Sequence, residues 1–182
     1  MVGSEANNLK TKKYSKEGDR PRVIPRVEMP KGIELCKKNV LDFLNDAKII
    51  VGENRIGHAY ISVQFALEEL GKILIFRDKM ENDRSDPLVI TKKEAFSNHA
   101  AKTDRAWKFL DPKFRVIFDE GVWEKGIWAR GLWVEDTYAE YQTRLDCAFV
   151  DYYAQRWQLG VDIKQELLMD LINHVESMLP TA

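Results

Sequence analysis

The stretch HAYISVQFALEELGKILIF, from His58 to Phe76, constrains this chain more than any other, because it puts charged groups onto a helical face that is otherwise apolar. Successive helix positions turn by about 100°, so His58, Ser62, Phe65, Glu69, Lys72 and Phe76 fall in one narrow sector. Ala59, Val63, Ala66, Leu67, Leu70, Ile73 and Leu74 extend that surface on one side. An apolar arc of this width predicts a helix wrapped on most sides by protein. Glu69 lies inside the arc, where a carboxylate must be paired, hydrogen-bonded or protonated, since an isolated buried charge costs several kcal/mol or more. Lys72, one turn on, is the nearest candidate partner.

The flanking segments read as helices that pack around this one. Ile33, Cys36, Val40, Leu44, Ala47 and Ile50 recur at three- and four-residue intervals, which predicts an amphipathic helix beginning just after Pro30. Gly52, Glu53 and Asn54 make a short turn, so the first two helices should form an antiparallel hairpin. The second helix should reach about Met80, where ENDRSDP breaks it. Thr91 followed by Glu94 is a capping box, predicting a third helix from there towards Leu110, with a seam of Phe96, Ala100, Thr103, Trp107 and Leu110. His99 projects close to that seam, with Lys102 one turn further along its edge.

From Gly121 to Trp133 the sequence repeats as GVWEK, GIWAR, GLW, a period of five that fits neither a strand nor one helix face. Trp123, Trp128 and Trp133 therefore either roof the core or form an exposed interaction surface, a use for which indoles are favoured. The segment TYAEYQTRLDCAFVDYYAQRW reads as a helix or as a helix followed by a short extended piece, closed by Gly160. Asp162 with Gln165 predicts the cap of a last helix, whose core stripe is Leu168, Leu171, Ile172, Val175 and Met178 or Leu179. His174 on that helix reads as structural. The fold class is all-α, a bundle of about five helices.

Residues 1–30 carry seven basic residues against four acids, with Pro21, Pro25 and Pro30, and too little apolar surface to offset their ordering entropy. They are expected to be a disordered or draped tail before a single domain at 31–182. The whole chain is nearly neutral, with a formal net charge of -1, so its overall field does not point to nucleic acid or a membrane. Cys36 and Cys147 are too few for a disulfide scaffold and read as reduced core residues. With neither a signal-peptide core nor a long apolar run, a cytoplasmic location is expected.

The series GIELCKKNVLDFLNDAKII, RIGHAYISVQFALEELGK, SNHAAK and RLDCAFVDYY resembles the AbiV family of bacterial abortive-infection proteins, within the HEPN-like helical class. The matching positions are Gly32, Asn39, Asp46 and Ala47; Glu68, Glu69, Gly71 and Lys72; His99 and Lys102; and Val150 and Asp151, with Phe149 standing where the pattern has Tyr. The resemblance implies a HEPN-like bundle, a phage-resistance role exerted on RNA or translation, and a homodimer. Ribonucleases of the HEPN class carry an Arg four to six residues before a His. None of the three histidines here has one, and Arg55 and His58 are too close together.

From chemistry alone, Glu69, Lys72, His99 and Lys102 form a candidate catalytic site if the second and third helices pack face to face, with Arg55, His58, Glu68 and Asp151 extending it. An imidazole beside a carboxylate can act as general acid or base, and paired lysines can hold a phosphate. The competing reading is an internal Glu69–Lys72 ion pair that fixes helix packing, with His99 hydrogen-bonded to it. No metal site is expected, since Glu69 and His99 offer only two good ligands and the lysines repel a cation, and no cofactor is implied. The sequence thus leads to a phage-defence protein that binds a phage component or the translation machinery, with an RNA-directed enzyme using His99, Glu69 and the lysines as the alternative.

Overall fold

The protein is described here by a computed structural model covering residues 21–118, 150–153, 156–159 and 163–182. Five α-helices dominate those residues: α1 (Met29–Gly52), α2 (Ile56–Asn82), α3 (His99–Phe109), α4 (Pro112–Phe118) and α5 (Gln165–Met178). Two antiparallel ribbons accompany them, β1 (Arg22–Ile24) with β2 (Leu88–Ile90), and β3 (Val150–Tyr153) with β4 (Arg156–Leu159). This is the all-α bundle that the periodicity predicts.

The α1–α2 hairpin forms as expected. Ile33, Cys36, Val40, Leu44, Ala47 and Val51 bury one stripe of α1 against Ala59, Val63, Ala66, Leu67, Leu70 and Ile73 of α2. The chain reverses through Asn54, whose φ of 58° is a left-handed conformation that asparagine tolerates better than most residues. Leu168, Leu171, Ile172 and Val175 of α5 are fully buried on the same core. Lys48 of α1 reaches Glu176 of α5 at 2.7 Å, tying the last helix to the first.

Two details differ from the expectations. The helix predicted from Thr91 to Leu110 is broken in two. The Thr91–Glu94 capping box is present, but it opens only a single π turn, Lys92–Phe96. Asn98 then starts α3 afresh, its side chain accepting a hydrogen bond from the Ala101 amide at 3.1 Å. Ser and Asn compete with helical backbone for hydrogen bonds, and that competition wins at Ser97–Asn98. At α5 the N-cap position is Lys164, with no side-chain cap, while Asp162 lies outside the described residues.

The described last part of the leader lies along the bundle. β1 pairs with β2, and the Arg26 guanidinium donates to the carbonyls of Asp83, at 2.6 Å, and Met80. These bonds cap the exposed end of α2, whose last carbonyls have no partner within the helix. His174 is structural as read: its Nε2 accepts from the Asp111 amide at 3.0 Å, and its ring stacks on Phe114 at 4.9 Å between centroids.

Candidate functional site

The adjacent carboxylates Glu68 and Glu69 are separated by about 100° around α2, and the two face different neighbours. Glu69 accepts from Nζ of Lys72 at 2.5 Å, and both side chains are largely shielded, 15% and 17% exposed. Glu68 turns towards α3. Its Oε2 lies 2.6 Å from Nδ1 of His99 and 3.1 Å from Nζ of Lys102. The carboxylate side chain is 5% exposed and the lysine 4%, so this ion pair is inside the protein. The His99 side chain is 60% exposed and forms the outer wall of the cluster.

The close approach of α3 depends on Gly71. A Cβ placed there would lie 1.8 Å from the Lys102 carbonyl oxygen and 2.5 Å from its carbonyl carbon, so only a residue without a side chain lets the two backbones touch. That contact sits one turn beyond Glu68 and sets Lys102 within reach of it. Further along, Arg105 of α3 reaches Asp78 of α2 at 2.6 Å, a second charged link between the same helices.

Cys36 of α1 completes the surroundings of Glu69. Burial, and after it the negative charge of Glu69, push the Cys36 thiol up to about 12, so it stays protonated at neutral pH and is a poor nucleophile. Gln64, one turn before Glu68, is also fully buried, and neither end of its amide finds a partner among the described residues.

The arrangement brings together Glu68, His99 and Lys102, with Glu69, Lys72 and Cys36 on the adjacent side of α2. The acid that holds His99 is therefore Glu68 and not Glu69, because the face that α3 covers is one residue around the helix from the centre of the apolar arc. Arg55 and His58 do not join the cluster. Both are exposed at the start of α2, and His58 lies about 16 Å along the helix from Glu69. Asp151 is placed in β3, opposite Gln158 of β4. Trp123, Trp128 and Trp133 lie outside the described residues. The sequence pattern marks neither Gly71 as the crossing point nor Gln64 as a buried amide one turn before Glu68.

Chemically, a paired carboxylate can only accept, so Nδ1 of His99 must carry the proton it shares with Glu68. In a neutral ring this leaves Nε2 unprotonated on the exposed edge. Among the described residues, no group of three His, Cys, Asp or Glu is placed to hold a metal ion.

The family model for AbiV, of the HEPN class, matches residues 28–179, which span α1 to α5. The chain belongs to the AbiV family. The role that goes with this family is phage defence by abortive infection, and the matched region contains the whole Glu68 cluster. No curated protein and no solved structure shows a significant match to this chain. Among the described residues, no helix is long and apolar enough to cross a membrane.

Proposed function

We propose that this AbiV-family protein defends its host in the cytoplasm by binding, engaging a phage component or a part of the translation machinery, while the Glu68 cluster holds α2 and α3 in the binding-competent arrangement. One observation carries this reading. Among the described groups at this contact, the Glu68 carboxylate and the Lys102 ammonium are inside the protein, while the His99 ring reaches solvent. Acid–base catalysis on a polymer needs the reacting groups at the substrate, within about 2.6 to 3.2 Å of the atoms they serve. A carboxylate and an ammonium that are 5% and 4% exposed serve each other instead.

A second reading, an RNA-directed enzyme, is favoured by the geometry of His99 itself. Its Nδ1 is held by a buried carboxylate and its outer edge is open, which suits a general base at Nε2, with Glu69, Lys72 and Lys102 supplying nearby charge. The two readings are separated by incubating total RNA with the purified wild type and His99→Ala, beside phage challenge of cells expressing each. Binding predicts intact RNA with both proteins and phage resistance in the wild type. RNA cleavage by the wild type that disappears in an equally stable His99→Ala variant would establish the enzyme and refute binding as the mechanism.

A further inference from the structure

The face of α1 turned away from the core carries an arrangement that the Glu68 cluster does not use. Two large apolar residues stand on it almost bare, Leu35 at 58% and Ile49 at 66% exposed. They are seven residues before and seven after Asp42, and at about 100° per residue all three fall on the side opposite the buried stripe of Val40, Leu44 and Ala47. Within about 40° of Asp42 around the helix, the charges are segregated by sign. Lys31 and Lys38 occupy the half before Asp42; Asp46 and Glu53 occupy the half after it. All four are exposed, and among the described residues none of them takes part in a salt bridge within 4.0 Å.

The spacing is the same on either side of Asp42. Lys38 is four residues before it and Asp46 four after; Lys31 is eleven before and Glu53 eleven after. When such a helix meets a second copy of itself running the opposite way, each position lies level with its counterpart across the centre. Leu35 then meets Ile49, Lys38 meets Asp46 and Lys31 meets Glu53, each contact occurring twice. This is the self-complementarity that a two-fold, isologous contact requires.

We infer that the outward face of α1 is a self-recognition surface, on which two copies of this chain pack their first helices antiparallel about a two-fold axis at Asp42. The surface and its register come from the exposed residues and the order of their charges, independently of the proposed function. An unrelated partner would need apolar contacts and some opposite charge, but not equal spacing about one residue. The axis also brings the two Asp42 side chains together, a like-charge contact that weakens the pairing and fixes its centre. One helix pair about six turns long makes a small interface, so the dimer forms and dissociates with concentration.

The test is sedimentation of the full chain over a wide concentration range. Wild type is expected to move from monomer to dimer, and Ile49→Asp, on an exposed position that leaves the core intact, to weaken dimerisation about tenfold or more. Lys38→Glu weakens it as well, and adding Asp46→Lys to that variant restores it by exchanging the two charges. Asp42→Asn tightens it, which is the signature of a residue facing its own copy. Asp42→Cys in a Cys147→Ala background cross-links two copies on mild oxidation, whereas Leu41→Cys, about 100° around the helix, does not. A wild type that stays monomeric overturns the inference. So does a dimer indifferent to Ile49→Asp and to the charge exchange, or Asp42→Cys that fails to cross-link.

Discussion

Helix α2 meets α1 and α3 in two different ways. Against α1 it presents Ala59, Val63, Ala66, Leu67 and Leu70, a surface whose contacts are non-directional. Against α3 it presents a glycine and a buried carboxylate, and the contacts run through the Lys102 backbone, the Lys102 ammonium and the His99 ring. The first kind of contact tolerates exchange among side chains of similar volume. The second fixes each residue individually, because removing one partner leaves the other charged and dry. The run from Glu68 to Lys72 therefore occupies the stretch of α2 where substitution is least forgiving.

The comparison is broken most sharply at Glu68. Glu68→Ala should cost about 3 to 5 kcal/mol by stranding Lys102 in the interior, measured by urea unfolding, whereas Glu68→Leu with Lys102→Met should recover most of that loss. Next comes Gly71→Ala, expected to cost about 3 kcal/mol or more, because the added methyl meets a backbone carbonyl that cannot rotate away. Gly52→Ala, with nothing within 4 Å of the new Cβ, serves as the control and should be neutral or slightly stabilising. On the apolar side, Leu44→Ala should cost roughly 2 to 5 kcal/mol and Leu44→Met under about 1.5. Equal sensitivity of Leu44 and Glu68 to their conservative replacements would erase the distinction between the two seams.

Smaller effects sharpen the same contrast. Glu69→Ala should cost about 1 to 2 kcal/mol, less than Glu68→Ala, because Lys72 retains some access to water and can rehydrate. Thr91→Ala should cost about 1 kcal/mol by removing the cap of the turn before α3. The backbone amide of Thr91, donating to Glu94, holds that carboxyl below its usual value of 4.5. Its contribution is present above the ordinary glutamate range and is lost as pH falls through the lowered value, so Glu94→Gln should flatten the acid limb of a stability–pH profile. Cys36 acts at the other end of the scale. Its thiol is raised from 9.0 to about 12, so the folded state holds that proton longer than the unfolded chain, and stability should fall as pH climbs through that interval.

The two seams also differ in how legible they were in the sequence. The α1 stripe, the hairpin turn and the α5 stripe follow from three- and four-residue spacing, since apolar packing leaves a periodic trace. The polar seam leaves no such trace. Helical spacing puts an acid, two lysines and a histidine on neighbouring helices but pairs His99 with Glu69, because a wide apolar arc does not say which side of it a third helix covers. Gly71 was visible as part of a motif, yet its purpose appears only when the Lys102 carbonyl is found against it. The β1–β2 ribbon joins two three-residue strands more than sixty positions apart, too short to show alternation and too distant for a turn signal. The break at Ser97–Asn98 has its own signal, a second capping residue, Asn98, overshadowed by the capping box that opens seven residues earlier at Thr91.

Glu68 and Lys102 stabilise the α2–α3 contact as a coupled pair. A double-mutant cycle on Glu68→Ala and Lys102→Ala, followed by urea unfolding, measures that coupling directly. The expected result is an interaction energy of about 2 kcal/mol or more, with the double variant clearly more stable than the sum of the single losses implies. Losses that add to within about 0.5 kcal/mol would show the two groups to be independent, and would contradict it.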